Sequence, residues 1–377
     1  MKKHLILTLS ILLIFSCEEI GEETSLDSDT EIDSNETINN ETEETSSGTD
    51  IYVAGWVETS STSQVACYWK NGERFDLGPG EVTDIIVEDG KVYCVGYSYG
   101  GDATYWIDNE VFKLEGTGDE EAYAITVRDG DVYTAGRDNG ACYWKNTKKT
   151  KLNGGDSSGY GIAVKENGNV FVGGYYVNNH HYVIPAVWKN GNRVNLSIPQ
   201  HGDGEVQDIK ISESGTVFYF GWTMKPDNML GYIPKAAYWE GSKRKDLPNG
   251  GGANQDIYGG EGYGGYLDGS DIYVAGKIDH IALWDDDTED NTKPGTGGTY
   301  AHYWKNGNKF DLPGGVYNNF WVSNAYDVST IGDTVVVVGD VATETQTQVP
   351  ALWVNNELIL LEGSNSFGVA KAVYIDK

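Results

Sequence analysis

Seven tryptophans in one recurring phrase, a leucine eight residues after each, and complementary half-repeats at the two ends of residues 50–377 predict an all-β chain. The predicted fold is a seven-bladed β-propeller of four-stranded antiparallel blades, the last blade closed by the N- and C-terminal strands. The phrase is fullest at Ala66-Cys67-Tyr68-Trp69-Lys70-Asn71-Gly72 and returns around Trp106, Trp144, Trp188, Trp239, Trp304 and Trp353. The leucines are Leu77, Leu114, Leu152, Leu196, Leu247, Leu312 and Leu361. Intervals of about 40 residues suit one four-stranded blade each.

Each repeat divides into four strand-length pieces. The first is a short apolar segment such as Ile125-Thr126-Val127, followed by the turn Asp129-Gly130. The second is a Val-Tyr-x-Ala-Gly strand, whose glycines fall at 55, 96, 136, 174, 221, 276 and 339. The tryptophan strand is third; an Asn-Gly turn joins it to the strand that ends in leucine. Asp-Gly and Asn-Gly favour tight hairpins because both residues tolerate positive φ. At the ends, Asp50-Ile51-Tyr52-Val53-Ala54-Gly55 is a second strand without a first, and Ala372-Val373-Tyr374-Ile375 is a first strand without a second. Pairing them closes one blade and removes an open sheet edge.

Before this body, Met1-Lys2-Lys3, the apolar run Leu5–Phe15 and Ser16-Cys17 have the three-part layout of an export signal over residues 1–16, too short for a permanent membrane span. Ile14-Phe15-Ser16-Cys17 resembles a bacterial lipobox, which implies acylation of Cys17 and a membrane contact through the lipid alone. Cleavage by an ordinary signal peptidase would instead release a periplasmic or secreted product. Residues 17–49 read as a disordered tether: Glu18 to Thr49 hold twelve acidic residues and no Lys, Arg or aromatic residue. Glu18-Glu19 resembles the acidic signals that send some Gram-negative lipoproteins to the surface of the outer membrane; an acidic linker also simply stays solvated.

The chain carries a formal charge of −30, and residues 50–377 hold 45 acidic against 25 basic residues. Nucleic acid and anionic membrane surfaces are poor partners for such a body, which is expected to be a monomer. Cys67, Cys94 and Cys142 stand at ordinary repeat positions without metal-ligand spacing and read as buried free thiols. The Ala-x-Tyr-Trp-Lys-Asn-Gly phrase with its leucine resembles the HAF-type extracellular repeat over nearly all of 50–377, a likeness that implies architecture and not chemistry.

Functional expectations rest on the loops. In a propeller, the second-to-third loops and the blade connections share one face. Here Tyr175 to Ile184, Trp222 to Lys235, Lys277 to Thr299, Asn249 to Tyr266 and Pro313 to Asn324 place all the irregularity there. The four tryptophans outside the phrase, Trp56, Trp222, Trp284 and Trp321, map to the same face, with Tyr176, Tyr182, Tyr258 and Tyr317 beside them. Aromatic faces with polar edges suit stacking on sugars or anchoring a protein. The crowded Asp285, Asp287 and Glu289 would take a hard cation such as Ca²⁺, although their spacing is not that of an EF-hand and a solvated loop tip is the favoured reading. His180-His181 lacks a third ligand nearby and reads as a polar loop pair.

No sialidase arginine cluster, nucleophile elbow or phosphate cradle is present in the sequence. The chain therefore reads as a surface module binding a glycan or protein through the long-loop face, with no firmly implied cofactor, rather than as an enzyme. The alternatives are a polysaccharide hydrolase or lyase, for which Asp256, Glu261, Asp279 and Asp327 are the first carboxylates to inspect, and a structural component of a surface assembly.

Overall fold

A computed structural model describes residues 49–60, 63–118, 120–199, 202–227, 231–249, 257–280, 298–317, 320–346, 348–363 and 365–376, all within the compact unit Gly48–Lys377. Cys17, the tether, Trp284 and the Asp285, Asp287, Glu289 loop lie outside the described residues.

The chain is all-β. Strands β1 (Asp50–Ser60), β2 (Ser63–Lys70), β3 (Glu73–Glu88), β4 (Lys91–Ser98), β5 (Ala103–Ile107) and β6 (Glu110–Lys113) come first. Four-stranded antiparallel sheets follow: β7 (Glu121–Arg128), β8 (Asp131–Arg137), β9 (Ala141–Lys145) and β10 (Lys148–Lys151); then β11 (Ser157–Val164), β12 (Val170–Val177), β13 (Val183–Lys189) and β14 (Asn192–Val194). The next is β15 (Gly204–Ile211), β16 (Val217–Asp227), β17 (Gly231–Glu240) and β18 (Lys243–Asp246). Strands β19 (Ile257–Asp268), β20 (Asp271–His280), β21 (Gly298–Lys305) and β22 (Asn308–Asp311) repeat the order, as do β24 (Phe320–Ile331), β25 (Thr334–Val341), β26 (Val349–Val354) and β27 (Glu357–Leu360), with the short β23 (Gly315–Tyr317) paired on β24. The last strand, β28 (Gly368–Asp376), pairs with β1 from Asp50↔Asp376 to Val57↔Gly368, so the two half-repeats share a sheet.

Two joins lengthen the sheets. Strand β3 runs unbroken from the leucine strand of one unit into the first strand of the next, and the parallel pairs Gly298↔Trp321 and Thr299↔Val322 fuse two others. Across units, the first strands pack in the succession β3, β7, β11, β15, β19, β24, β28 and back to β3.

The repeat phrase is explained by two latches. In six units, the Asn or Asp of the last turn accepts the backbone N–H that opens the second strand, as in Asn71 to Ile51, 2.9 Å, and Asn306 to Ile272, 3.0 Å. That residue has positive φ, 52° at both Asn71 and Asn306, followed by a glycine at 86° or 80°, as a primed hairpin turn requires. The second latch joins units. Each fully buried indole packs on the leucine of the preceding unit and donates to the carbonyl just after it: Trp144 to Glu115, Trp188 to Asn153, Trp239 to Ser197, Trp304 to Pro248 and Trp353 to Pro313, at 2.6–2.8 Å. Trp69 does the same to Glu362, across 293 residues of sequence, at 2.9 Å. Cys67, Cys94 and Cys142 are buried free thiols within this packing.

The segments expected as long loops are largely hairpin extensions. Residues from Trp222 to Lys235 continue as a ladder from Trp222↔Ala236 to Asp227↔Gly231, and Tyr176 and Val177 pair with Ile184 and Val183. β-formers such as Thr223 and Ile233 let the backbone satisfy itself past the end of the core. The Pro313 to Asn324 connection likewise folds as the β23–β24 hairpin.

Candidate functional site

Every first strand carries one extra residue between its alternating positions. Opposite the end of the second strand the register slips at Val82/Asp84, Ala122/Ala124, Gly159/Gly161, Val206/Asp208, Gly262/Gly265 and Ala325/Asp327, and on β28 at Ala370/Ala372. The residues set out of the ladder are Thr83, Tyr123, Tyr160, Gln207, Tyr263, Tyr326 and Lys371, and all of them line one cavity of about 350 Å³. A bulge re-aims side chains in this way. It also explains the glycine that ends each second strand: a Cβ on Gly96, Gly136 or Gly221 would drive far inside van der Waals contact of the carbonyl oxygen of Glu81, Glu121 or Glu205.

Below the bulge sit three aspartates, each bridging two strands. Asp84 accepts the N–H of Ile85 and of Ile125 on β7, both at 2.8 Å. Asp208 accepts from Ile209 and from Gly265 on β19, at 2.7 and 2.9 Å. Asp327 accepts from Val328 and from Val373 on β28, at 2.9 and 3.0 Å. Lys210 stands among them, 3.0 Å from Asp208. Protein surrounds the lysine, yet its side chain is 39% accessible because it projects into open cavity. Burial raises the carboxyls of Asp84 to about 6 and Asp327 to about 7, with Lys210 holding both lower than burial alone would. For Lys210 burial opposes the charge, but Asp208, Asp327 and Asp84 outweigh it and hold the ammonium above the usual lysine range.

Lys210→Met is therefore expected to destabilise the chain by about 1–3 kcal/mol at pH 8, a loss discounted for the open side of the site. The carboxyls are raised in the folded state, and further so without Lys210. Folding then takes up protons, so the variant's stability should rise as pH falls from 8 towards 5. Urea unfolding of variant and parent at both pH values checks this; a pH-independent difference would contradict it.

Above the bulge stand carboxylates in four of the units. Glu81, Glu121, Glu205 and Glu261 occupy the same place in their strands, two residues before the bulge residue. The Glu121 carboxylate accepts from the Tyr123 hydroxyl, Glu261 from Tyr263 at 2.7 Å, and Glu205 from the Gln207 amide at 2.5 Å. In these four units the residue after the second-strand glycine stands opposite the glutamate: Trp222 is the cross-strand partner of Glu205, Tyr97 of Glu81, Arg137 of Glu121 and Lys277 of Glu261. Arg137 lies 3.5 Å from Glu121, and Lys277 3.8 Å from Glu261. Burial, and then the charge of Glu261, raise Glu205 to about 7. Beside the cavity, sharing Tyr97, an open groove of about 720 Å³ is lined by Glu120, Glu121, Arg137, Asn139 and Asp156.

No family model and no curated protein matches the chain. Among solved structures it is similar to the β-propeller domain of the Trilobed protease from Pyrococcus furiosus, at 12% identity over 84% of this chain and 95% of that one, TM-score 0.46. It is also similar to a PL25 ulvan lyase bound to -[GlcA(1-4)Rha3S]-, at 9% identity over 78% and 81% of the two chains, TM-score 0.44, and to the computationally designed Ika8 protein, at 14% identity over 85% and 96%, TM-score 0.42. These likenesses are too distant to bring any chemistry to this chain.

The described aromatic residues singled out from the sequence have different surroundings. Trp56 and Trp222 share a position in their strands; Trp222 is half-buried, and Trp56 is 9% exposed between Val369 and Ala66. Trp321 stacks on Tyr300, 5.7 Å between centroids, and Tyr317 stands on the adjoining β23. The Arg193 guanidinium covers the Tyr176 ring at 3.7 Å. Tyr182, 41% exposed, closes a turn in which Asn178 accepts the N–H groups of His180 and Tyr182. Tyr258 lies on β19, and its side chain is not among those described. Of the carboxylates named for inspection, Glu261 stands above the bulge and Asp327 among the deep aspartates; Asp279 accepts from Thr299 at 2.8 Å, and Asp256 lies outside the described residues. Among the described residues, no group of three or more His, Cys, Asp or Glu is arranged to hold a metal.

Sequence reasoning passed over Asp84, Asp208, Lys210 and Glu205. The signal was there: Thr83-Asp84-Ile85, Gln207-Asp208-Ile209 and Tyr326-Asp327-Val328 recur in phase, each preceded at the same distance by a Glu or Asn.

Proposed function

We propose that the chain is a glycan-binding module whose site is the mouth of the central cavity. The units are taken to close as a seven-bladed β-propeller, a reading supported by the return of the first-strand succession from β28 to β3 and by the Trp69 latch to Glu362. The body would be carried at the outer-membrane surface by a lipid on Cys17 and the acidic tether, in keeping with Leu5–Phe15 and the lipobox-like Ser16-Cys17.

The observation that carries the reading is the lining of the cavity: the Glu81, Asp84, Asp208 and Asp327 carboxylates and the Gln207 amide together with Tyr97, Tyr123, Tyr160, Tyr263 and Tyr326 around a concave space. Fixed acceptors for vicinal hydroxyls beside aromatic faces are what a sugar ring demands, and a cavity of this size lies in the range of small-ligand sites, about 300–1,000 Å³. The described large apolar side chains that are well exposed, such as Tyr99, Val111 and Leu360, lie on separate strands and turns.

A glycan array followed by calorimetry tests the proposal. Trp222→Ala is expected to weaken binding of the best array ligand about tenfold or more while leaving the melting temperature near that of the parent. An array without hits, or full affinity in the variant, would remove it. A second reading, a hydrolase or lyase, is favoured by Glu205 alone: a carboxyl raised to about 7 beside a second carboxylate is suited to general-acid work. Release of reducing ends from an array-positive polysaccharide, lost in Glu205→Gln, would establish it.

A further inference from the structure

The groove beside the central cavity exists because two successive units are short where the next three are long. Past the second-strand glycine, the ladder to the third strand ends at the very next pair in these two, Tyr97↔Ala103 and Arg137↔Ala141. In the following units it continues to Val177↔Val183, Asp227↔Gly231 and His280↔Gly298. Glycines complete the low side. Gly100, Gly101, Gly118, Gly140 and Gly155 line the groove, and a Cβ added to the first, third or last of them would meet no described atom within 4 Å beyond its chain neighbours.

The groove is continuous with the cavity. Tyr97 lines both. Glu121, in the groove, accepts from the hydroxyl of Tyr123, in the cavity, and Arg137 stands 3.5 Å from the same carboxylate. The Arg137 side chain is 49% exposed, so guanidinium N–H groups remain for a ligand. The wall beyond it is held in place: Ser157 Oγ accepts the Ala141 N–H at 2.9 Å and donates to the Gly155 carbonyl at 3.0 Å, and the Asn139 amide donates to Thr117 at 2.9 Å. A trough ordered before binding spares a hydroxyl-rich chain the cost of ordering it. Volumes of about 350 and 720 Å³ together reach the top of the range for one small ligand, about 300–1,000 Å³, so the continuous site matches a chain of sugars better than one ring.

Resting on the glycan reading, we propose that cavity and groove form one extended site, so that the ligand is an oligosaccharide of several units, one among the cavity tyrosines and the later ones across Arg137, Asn139 and Asp156. Carboxylates outnumber cations in both linings, which favours neutral sugars over uronates.

The test is calorimetry on the full chain with cello-, xylo-, manno- and N-acetyl-chito-oligosaccharides of two to six units, and with the successive fragments of any other chain that the array retains. In the series that binds, the tetramer is expected to be at least about tenfold tighter than the dimer, as one charge-assisted hydrogen bond from Arg137 would give. In Arg137→Ala with Asp156→Ala, two exposed positions whose loss should leave the melting temperature near that of the parent, the ratio should fall to within about twofold. Protection of Arg137 from an arginine-specific dicarbonyl reagent by the tetramer and not by the dimer, mapped by mass spectrometry, reports the same contact in the unaltered chain. Equal affinities at all lengths, a ratio that persists in the variant, or an Arg137 that stays unprotected would overturn the extended site and leave the glycan reading in place. If no oligosaccharide binds and the array is blank, the glycan reading falls with it.

Discussion

A chain ending at Phe367 is expected to lose cooperative folding altogether. Nine of the ten residues removed form β28, which supplies the ladder to β1, the Val373 N–H that satisfies one oxygen of Asp327, and Ala370, Val373 and Ile375 of the core around Trp69. Without it β1 becomes an open edge, and an apolar face is left against water. Circular dichroism melts and limited proteolysis check this. A sharp transition at the parent's temperature would show that the joined termini contribute little. Adding residues 366–377 as a peptide in trans should restore part of the protease resistance, because a single continuous strand carries the whole ladder to β1.

Trp304→Ala should destabilise the protein by about 3–5 kcal/mol, the largest effect expected of any single substitution here. Trp304 is fully buried against Phe220, Leu247 and Val274, and its indole donates to Pro248 at 2.7 Å. Trp304→Phe separates the two contributions: it keeps an aromatic body, strands the Pro248 carbonyl, and should cost about 1–3 kcal/mol. Urea midpoints at constant m-value measure both. Trp222→Ala, removing a half-buried ring opposite Glu205, should cost less than either. Were Trp304→Ala no worse than Trp222→Ala, the repeat tryptophans would not be what ties one unit to the next.

How much of this was legible depended on whether a residue type was forced by backbone geometry. The Asn or Asp of the last turn and the tryptophan with its leucine each answer to a hydrogen-bond requirement that recurs in six units, so periodicity exposed them, and the terminal half-repeats showed as the two parts missing from that period. The aromatic residues outside the phrase were visible but not their surroundings. Nothing in the order of residues says that Arg193 covers Tyr176 or that Trp56 is closed in between its neighbours. The carboxylates of the mouth were hidden for the opposite reason. Glu81, Glu121, Glu205 and Glu261 look like ordinary strand-end charges until the bulge, a feature of the pairing between strands, turns the residue two places on into the cavity. The long connections were overestimated because a hairpin that outgrows its core still satisfies its own backbone.

The bulge residue belongs neither to the hydrogen-bond ladder nor to the packed interior, so its identity is released from both duties. Thr83, Tyr123, Tyr160, Gln207, Tyr263, Tyr326 and Lys371 amount to a dial with one setting per repeat, and the scatter of residue types among them fits such freedom. Ligand preference could drift or be redesigned there, one position at a time, while the scaffold that displays it stays as it is.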